Sequence, residues 1–278
     1  MTVATLAEVL QPAMAARRAL AGMVVLGWED ARAYVDAAEA LGLPIILQAG
    51  PGARRHTPVA VLGKMFRVLA EGASVPVVAH IDHAYALEEC RAGIGEGFTS
   101  VMIDGSGHEI GRNIELTAQV VALARTAGAS VEGEVGVVGY AGRAGAAMTL
   151  AAEAGRFDRE AGADALAISV GNVHNNPSPT SVIDFGRLRD IEAVTRLPLV
   201  LHGASGIPAA VRERLARETR VTKFNIGTEL RQCFGQSLRA TLAEHPERFD
   251  RIEILAAVMP ALSETTAGLL RSFWGAGD

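Results

Sequence analysis

Eight short apolar runs, each stopped by polar or glycine residues and most followed by a stretch of helical periodicity, recur along the 278 residues. They cover residues 23–26, 44–48, 76–83, 100–104, 130–136, 165–171, 197–202 and 221–227. Runs of this length, apolar on both faces, are how the strands of an all-parallel sheet read. Helical patterns lie at 31–41, 59–73, 113–127, 184–195, 209–219 and 229–244, with another beginning near residue 87. The order predicts one α/β domain over 1–278, a (β/α)8 TIM barrel. An N-terminal helix over 4–20 leads into it and a C-terminal helix over 252–273 closes it. Two Rossmann-like halves are the competing arrangement, but no Gly-x-Gly-x-x-Gly turn follows the first run. No linker, low-complexity tract or block of like charge divides the chain.

A net charge of -5 argues against nucleic acid or an acidic membrane as partner. Cys90 and Cys233 fall in separate helical patterns, with no paired metal spacing, as expected for a reducing, cytoplasmic setting. Glu8 and Gln11 interrupt the N-terminal apolar residues, so no signal peptide is expected, and no uninterrupted apolar run approaches a membrane span. The terminal helix carries more apolar positions than one stripe needs, from Ile252 and Leu255 to Phe273 and Trp274. A subunit contact and burial against the barrel both account for that surplus.

The polar residues collect where such a barrel places its chemistry, at the carboxyl ends of its strands. The third run ends in Asp82-His83, the fourth in Asp104 and the fifth in Glu132-Gly133-Glu134. The sixth continues into Asn172-Val173-His174, and the seventh ends in His202-Gly203. A single histidine there is more simply a satisfied core residue. Three together, His83, His174 and His202, can give three nitrogens to one Zn2+ and leave a position open for substrate. His80 is a candidate for supporting that group from behind, whereas His56, His108 and His245 read as surface residues. Gly203-Ala204-Ser205-Gly206 and Asn225-Ile226-Gly227-Thr228 both open helices with small and hydroxyl residues, a pattern suited to a phosphate held by backbone N–H groups.

Taken together, His80-Ile81-Asp82-His83, Ser100-Val101-Met102-Ile103-Asp104, Val131-Glu132-Gly133-Glu134, the run from Asp164 to His174, Leu201-His202-Gly203-Ala204-Ser205-Gly206 and Lys223-Phe224-Asn225-Ile226-Gly227-Thr228 resemble the class II, zinc-dependent ketose-bisphosphate aldolases. The likeness is nearest the tagatose-bisphosphate branch. It implies a lyase that reversibly cleaves a ketose phosphate or related sugar into an aldehyde and a dihydroxyacetone-phosphate-like donor, through an enediolate. By the same resemblance, His83, His174 and His202 would hold one zinc per chain and Asp82 would shuttle the proton of the cleaved hydroxyl. Asp104 and Glu134 would offer the metal a second position. Gly203, Ala204 and Ser205 with Asn225, Gly227 and Thr228 would cradle the donor phosphate. The resemblance also implies a homodimer or homotetramer.

The departures from that family are local. Met23-Val24 and Gly27 stand where the family usually has Phe-Asn and a second Asn. Gly50 replaces an expected serine, and Asn175 an expected glycine. The loop over 137–146 lacks the acidic residue that abstracts the carbon proton in relatives, and no acid follows before Glu153. Three explanations stay open at this level. Tyr140, Glu153 or a group from elsewhere serves as base; the donor differs, with Arg143 answering another charge; or the chain is a non-catalytic sugar-phosphate-binding protein. A metal hydrolase is less favoured, because the first run carries no His-x-His pair.

Overall fold

The computed structural model describes residues 2–275. Eight parallel strands form the barrel: β1 (Leu20–Val24), β2 (Ile45–Ala49), β3 (Val77–Ala84), β4 (Ser100–Ile103), β5 (Ser130–Val135), β6 (Ala165–Ile168), β7 (Leu199–Leu201) and β8 (Val221–Ile226). Each pairs with its neighbours in chain order, and β8 closes the ring by setting Lys223, Phe224, Asn225 and Ile226 beside Leu20, Ala21, Gly22 and Met23. The expected (β/α)8 architecture is therefore present.

An N-terminal helix, α1 (Leu6–Ala15), plugs one end. Leu6, Val9, Leu10 and Ala13 pack on the inward residues Leu20, Ile46, Val78, Met102, Ala165, Ala167 and Val200. A capping box fixes its start, Thr5 accepting from the Glu8 N–H and Glu8 from the Thr5 N–H. The helix is shorter than the 4–20 expected. Leu20 belongs instead to β1, which begins three residues before the predicted run at 23. The cause is the turn through Ala16 and Arg17, where Arg17 has φ 53.

Around the barrel lie α2 (Trp28–Leu41), α3 (Pro51–His56), α4 (Val59–Gly72), α5 (Leu87–Gly95), α6 (Ile110–Thr126), α7 (Ala151–Ala161), α8 (Phe185–Val194), α9 (Ala209–Glu218) and α10 (Thr228–Glu244). The periodicity did not reveal α7, because its buried stripe is Ala154, Gly155, Phe157 and Ala161, three small residues and one phenylalanine. The terminal segment divides at Val258–Pro260 into α11 (Arg251–Ala256) and α12 (Met259–Trp274), since a proline starts a helix better than it continues one. By length and hydropathy this segment could cross a membrane. Leu262, Leu269, Leu270 and Phe273 of α12 are nonetheless buried against the protein, which accounts for part of its apolar surplus. No residue of α11 is buried, and Ile252 is 78% exposed.

Above the apolar floor, the barrel interior turns polar. Gln48, His80, Ser100, Glu132 and Lys223 are each fully buried. Between Glu132 and Glu134, Gly133 faces outward against α7, and a Cβ there would lie 2.3 Å from Phe157 Cζ. Gly133→Ala is therefore expected to lower unfolding stability by about 1–3 kcal/mol, as overpacking does. Chemical denaturation measures this; an unchanged midpoint would show that the β5–α7 contact is not the close one described.

Candidate active site

In a regular strand, successive side chains point to opposite faces. Asp82 and His83 are adjacent, yet both belong to the mouth of the barrel. His83 makes this possible by adopting φ 50, and the β3–β4 register shifts between Ile81 and Ala84. A left-handed conformation costs a non-glycine residue roughly 1–2 kcal/mol, so something must hold it. That group is Arg54, from α3. One of its nitrogens donates to the carbonyls of Ala49 and Asp82 at 2.6 Å each. The other donates to the His83 carbonyl at 2.9 Å and to Glu89 at 3.0 Å. The Arg54 side chain is 8% exposed, so these bonds are shielded from water.

His83, His174 and His202 converge as expected: one ligand atom from each lies within 4.8 Å of the others. The hydrogen bonds select which nitrogen faces inward. His83 Nδ1 meets Asp104 Oδ2 at 2.9 Å, leaving Nε2 without a partner. His202 Nε2 meets Glu132 Oε1 at 3.0 Å, leaving Nδ1 without one. Glu134 Oε2 is also unpartnered and lies 3.4 Å from His202 Nδ1. Buried polar atoms without partners are costly, and three of them facing one point fit a cation. Three imidazole nitrogens are a donor set that zinc takes. Asp104 and Glu134 also group with His83 within 4.8 Å, which fits a second position.

Of the floor beneath this cluster only His80 was foreseen, as a residue behind the histidines. Glu132 Oε2 accepts from Lys223 Nζ at 2.7 Å, and both side chains are fully buried. His80 bonds Ser100 through Nδ1 at 2.8 Å and brings Nε2 to 3.8 Å from Glu132. Glu132 thus orients the His202 ring while Lys223 balances its charge. A lysine within the apolar run of β8 was the available signal, because a buried ammonium demands a carboxylate.

Electrostatics separate the three rings. Burial pulls His83 down, but Asp82, Asp104 and Glu134 outweigh it and carry the ring up to about 9. Burial and the nearby His83 charge hold His174 down at about 4 and His202 well below its ordinary value. Burial raises Glu134 to about 8, with Asp104 adding to the effect. Asp104 is held well below the carboxylate range despite its burial, by His83 and by bonds from Ser106.

His174 is not on a barrel strand. Val173–His174 pairs with Gly139–Tyr140 of the loop after β5. The Tyr140 ring stacks on His174 at 4.9 Å, and the Arg143 guanidinium lies 5.8 Å from the Tyr140 ring centre. Tyr85 stands by His83 at 6.4 Å on the other side. Asn172 ties this segment to β7 by donating to the His202 carbonyl at 3.1 Å. Gly203, at φ 63, completes the join: a Cβ there would lie 2.2 Å from the Val173 carbonyl oxygen. Glu153 does not join the cluster; it lines a separate cleft with Ser106 and His108.

Asn225 Nδ2 donates to Asp82 Oδ1 at 3.2 Å, so a residue near the end of β8, beside the loop before α10, also fixes Asp82. The small side of Gly50 leaves Asp82 Oδ2 uncovered. Gly203, Ser205, Asn225, Gly227 and Thr228 line one hollow of about 60 Å³ beside His174. Ala204 is fully buried, so only its backbone can take part. Ser205 Oγ accepts from the Glu229 N–H at 3.2 Å and joins the two loops.

The chain matches the family model "Fructose-bisphosphate aldolase class-II" over residues 4–278. It is 33% identical to a fructose-bisphosphate aldolase of Geobacillus stearothermophilus, covering 100% of this chain and 99% of the relative. It is 34% identical to a 6-phospho-5-dehydro-2-deoxy-D-gluconate aldolase of Bacillus licheniformis, covering 100% and 97%. Among solved structures, the YdjI aldolase of Escherichia coli K12 superposes with a TM-score of 0.86 at 27% identity, over 99% of this chain and 100% of that one.

Lys223→Met leaves Glu132 buried without a cation and is expected to cost about 3–5 kcal/mol of stability. Glu132→Gln in the same chain should recover much of that loss. Denaturation midpoints of the single and double variants test this, and an unaffected Lys223→Met protein would refute the buried pair.

Proposed function

From the premise that this chain belongs to the class II fructose-bisphosphate aldolase family and is therefore a lyase, we propose that it is a zinc-dependent aldolase acting on a ketose phosphate or a related sugar acid phosphate, with a dihydroxyacetone-phosphate-like donor. The observation that carries this reading is the convergence of His83, His174 and His202 within 4.8 Å, with His83 Nε2 and His202 Nδ1 unpartnered. The relatives' names support a phosphorylated substrate; those given above do not carry the tagatose name.

His83, His174 and His202 would hold the zinc, and Asp104 and Glu134 would give it an alternative seat. When bound, the ion supplies Lewis-acid stabilisation of negative charge developing on the donor. The protein's own groups do the rest. The hydroxyl on the aldehyde side of the breaking C–C bond gives its proton to Asp82, and the bond's electron pair stays with the donor carbon. Asn225 fixes one Asp82 oxygen, and the other faces the space that Gly50 leaves open. Gly203, Ser205, Gly227 and Thr228 would seat the phosphate, with the Ala204 backbone. Tyr140 lies against the cluster, but burial and the carboxylates Asp82, Asp104 and Glu134 raise its hydroxyl, so it donates a proton rather than accepting one at neutral pH. The carbon proton therefore falls to a rim carboxylate, for which Asp82 is the candidate with an unshared oxygen, since burial and Asp104 raise Glu134 to about 8.

We place the enzyme in the cytoplasm, as one functional unit over 1–278 and as a homodimer or homotetramer. In support of the assembly, α10 buries only Leu230, and Phe249 and Ile252 are 93% and 78% exposed.

Solvent deuterium exchange at the donor carbon tests the function. The zinc-loaded protein should exchange dihydroxyacetone phosphate and not pyruvate; exchange of pyruvate alone would replace the donor, and exchange of neither would end the aldolase reading. Asp82→Ala should lower kcat by about 10²–10⁴-fold. His174→Ala should lose zinc, measured by metal analysis, together with activity.

A further inference from the structure

We infer that Arg231, aimed by Asn175, is the positive charge of the donor-phosphate site and sets the preference for a phosphorylated over an unphosphorylated donor. This rests on the aldolase reading above, which makes phosphate the occupant of the hollow beside His174. The other groups of that hollow, Ser205, Thr228, Asn225 and the glycine backbones, are neutral, whereas a phosphate monoester carries nearly two negative charges at neutral pH.

Arg231 lies one helical turn into α10 and lines the same hollow. Its Nη2 donates to Asn175 Oδ1 at 2.9 Å and to Thr228 Oγ1 at 3.1 Å. Its Nη1 lies over Gly227, 3.0 Å from where a Cβ would sit. Among the described residues, no carboxylate pairs with it. Arg54 and Arg212, by contrast, are matched to Glu89 and Glu229. A guanidinium held only by neutral acceptors keeps its charge and its remaining donors for a ligand, and its planar fork suits phosphate oxygens.

Asn175 explains how the side chain is aimed. It has φ 53, a region that glycine occupies freely and asparagine more readily than other residues. The position after His174 therefore keeps the backbone turn that a glycine would make and adds an acceptor that points Arg231 at the hollow. The departure from the expected glycine is thus a gain of a side-chain contact. Arg231 also borders an adjoining cavity of about 420 Å³, lined by Val24, Gly27, Tyr34 and Phe234. It stands where that cavity and the phosphate hollow meet.

Calorimetric titration of the metal-free protein with inorganic phosphate and with glycerol 3-phosphate tests the inference without reference to turnover. Arg231→Met should weaken both by about tenfold or more, as loss of a charge-assisted bond does, and Arg231→Lys by less. Asn175→Gly keeps the turn and should weaken binding by an intermediate factor. The Arg231→Met, Asn175→Gly double variant should bind no more weakly than Arg231→Met alone, because the two act through one contact. Unchanged circular dichroism and melting temperature accompany these results, since Arg231 is exposed. Arg231→Met binding as tightly as the parent overturns the inference and leaves the aldolase reading standing. Asn175→Gly binding like the parent overturns the aiming role. A parent protein that binds neither anion overturns the phosphate site itself.

Discussion

One arginine holds the geometry on which everything else depends. Asp82 and His83 can serve a single site only because the end of β3 leaves the strand's alternation, and it stays there because Arg54 binds the carbonyls on both sides of the departure. A lysine in that position has no planar fork with which to span the Ala49, Asp82 and His83 carbonyls and Glu89 at once. The guanidinium is itself buried and needs those acceptors as much as they need it. Asp82 and His83, proposed above for proton transfer and for nitrogen donation, therefore share one support.

Beneath that rim, the barrel carries charge where most barrels carry branched aliphatic side chains. Glu132, Lys223 and His80 form a compact group whose net contribution to stability is small, because dehydrating two ions offsets their attraction. Their effect is on direction: with Glu132 accepting from His202 Nε2, the ring presents Nδ1 to the mouth. Above them a single proton is shared unequally. The carboxylates around His83 favour a proton there, while burial holds His174 and His202 down, so a cation would have to displace the His83 proton to take its Nε2 lone pair.

The sequence disclosed what depends on period and on strand order. Eight apolar runs gave the barrel, and the polar residues at their ends gave all three histidines, Asp82, Asp104 and Glu134. What stayed hidden depends on partners remote in the chain. Arg54 reaches residues 28 and 29 positions away, and Lys223 meets a carboxylate 91 positions away. The left-handed turn at His83 leaves no compositional mark, since histidine is an ordinary strand residue. Helix α7 was obscured by small buried residues, and the Leu20 boundary by a helix-like spacing that continued past the true turn. The Glu153 alternative failed for a similar reason: nearness in sequence to the loop did not bring its side chain to the cluster.

The two-residue ladder between Gly139–Tyr140 and Val173–His174 has a mechanical consequence. In a barrel whose flap moves freely, reactants exchange while the ligand set stands still. Here the flap is stitched to the strip that bears one of the nitrogens, and a tyrosine ring lies flat on that imidazole. Swinging the flap outward would drag the His174 ring with it, so the flap and the histidine cluster move as one. Access to the cluster and the position of the His174 ring are thereby coupled through one short ladder.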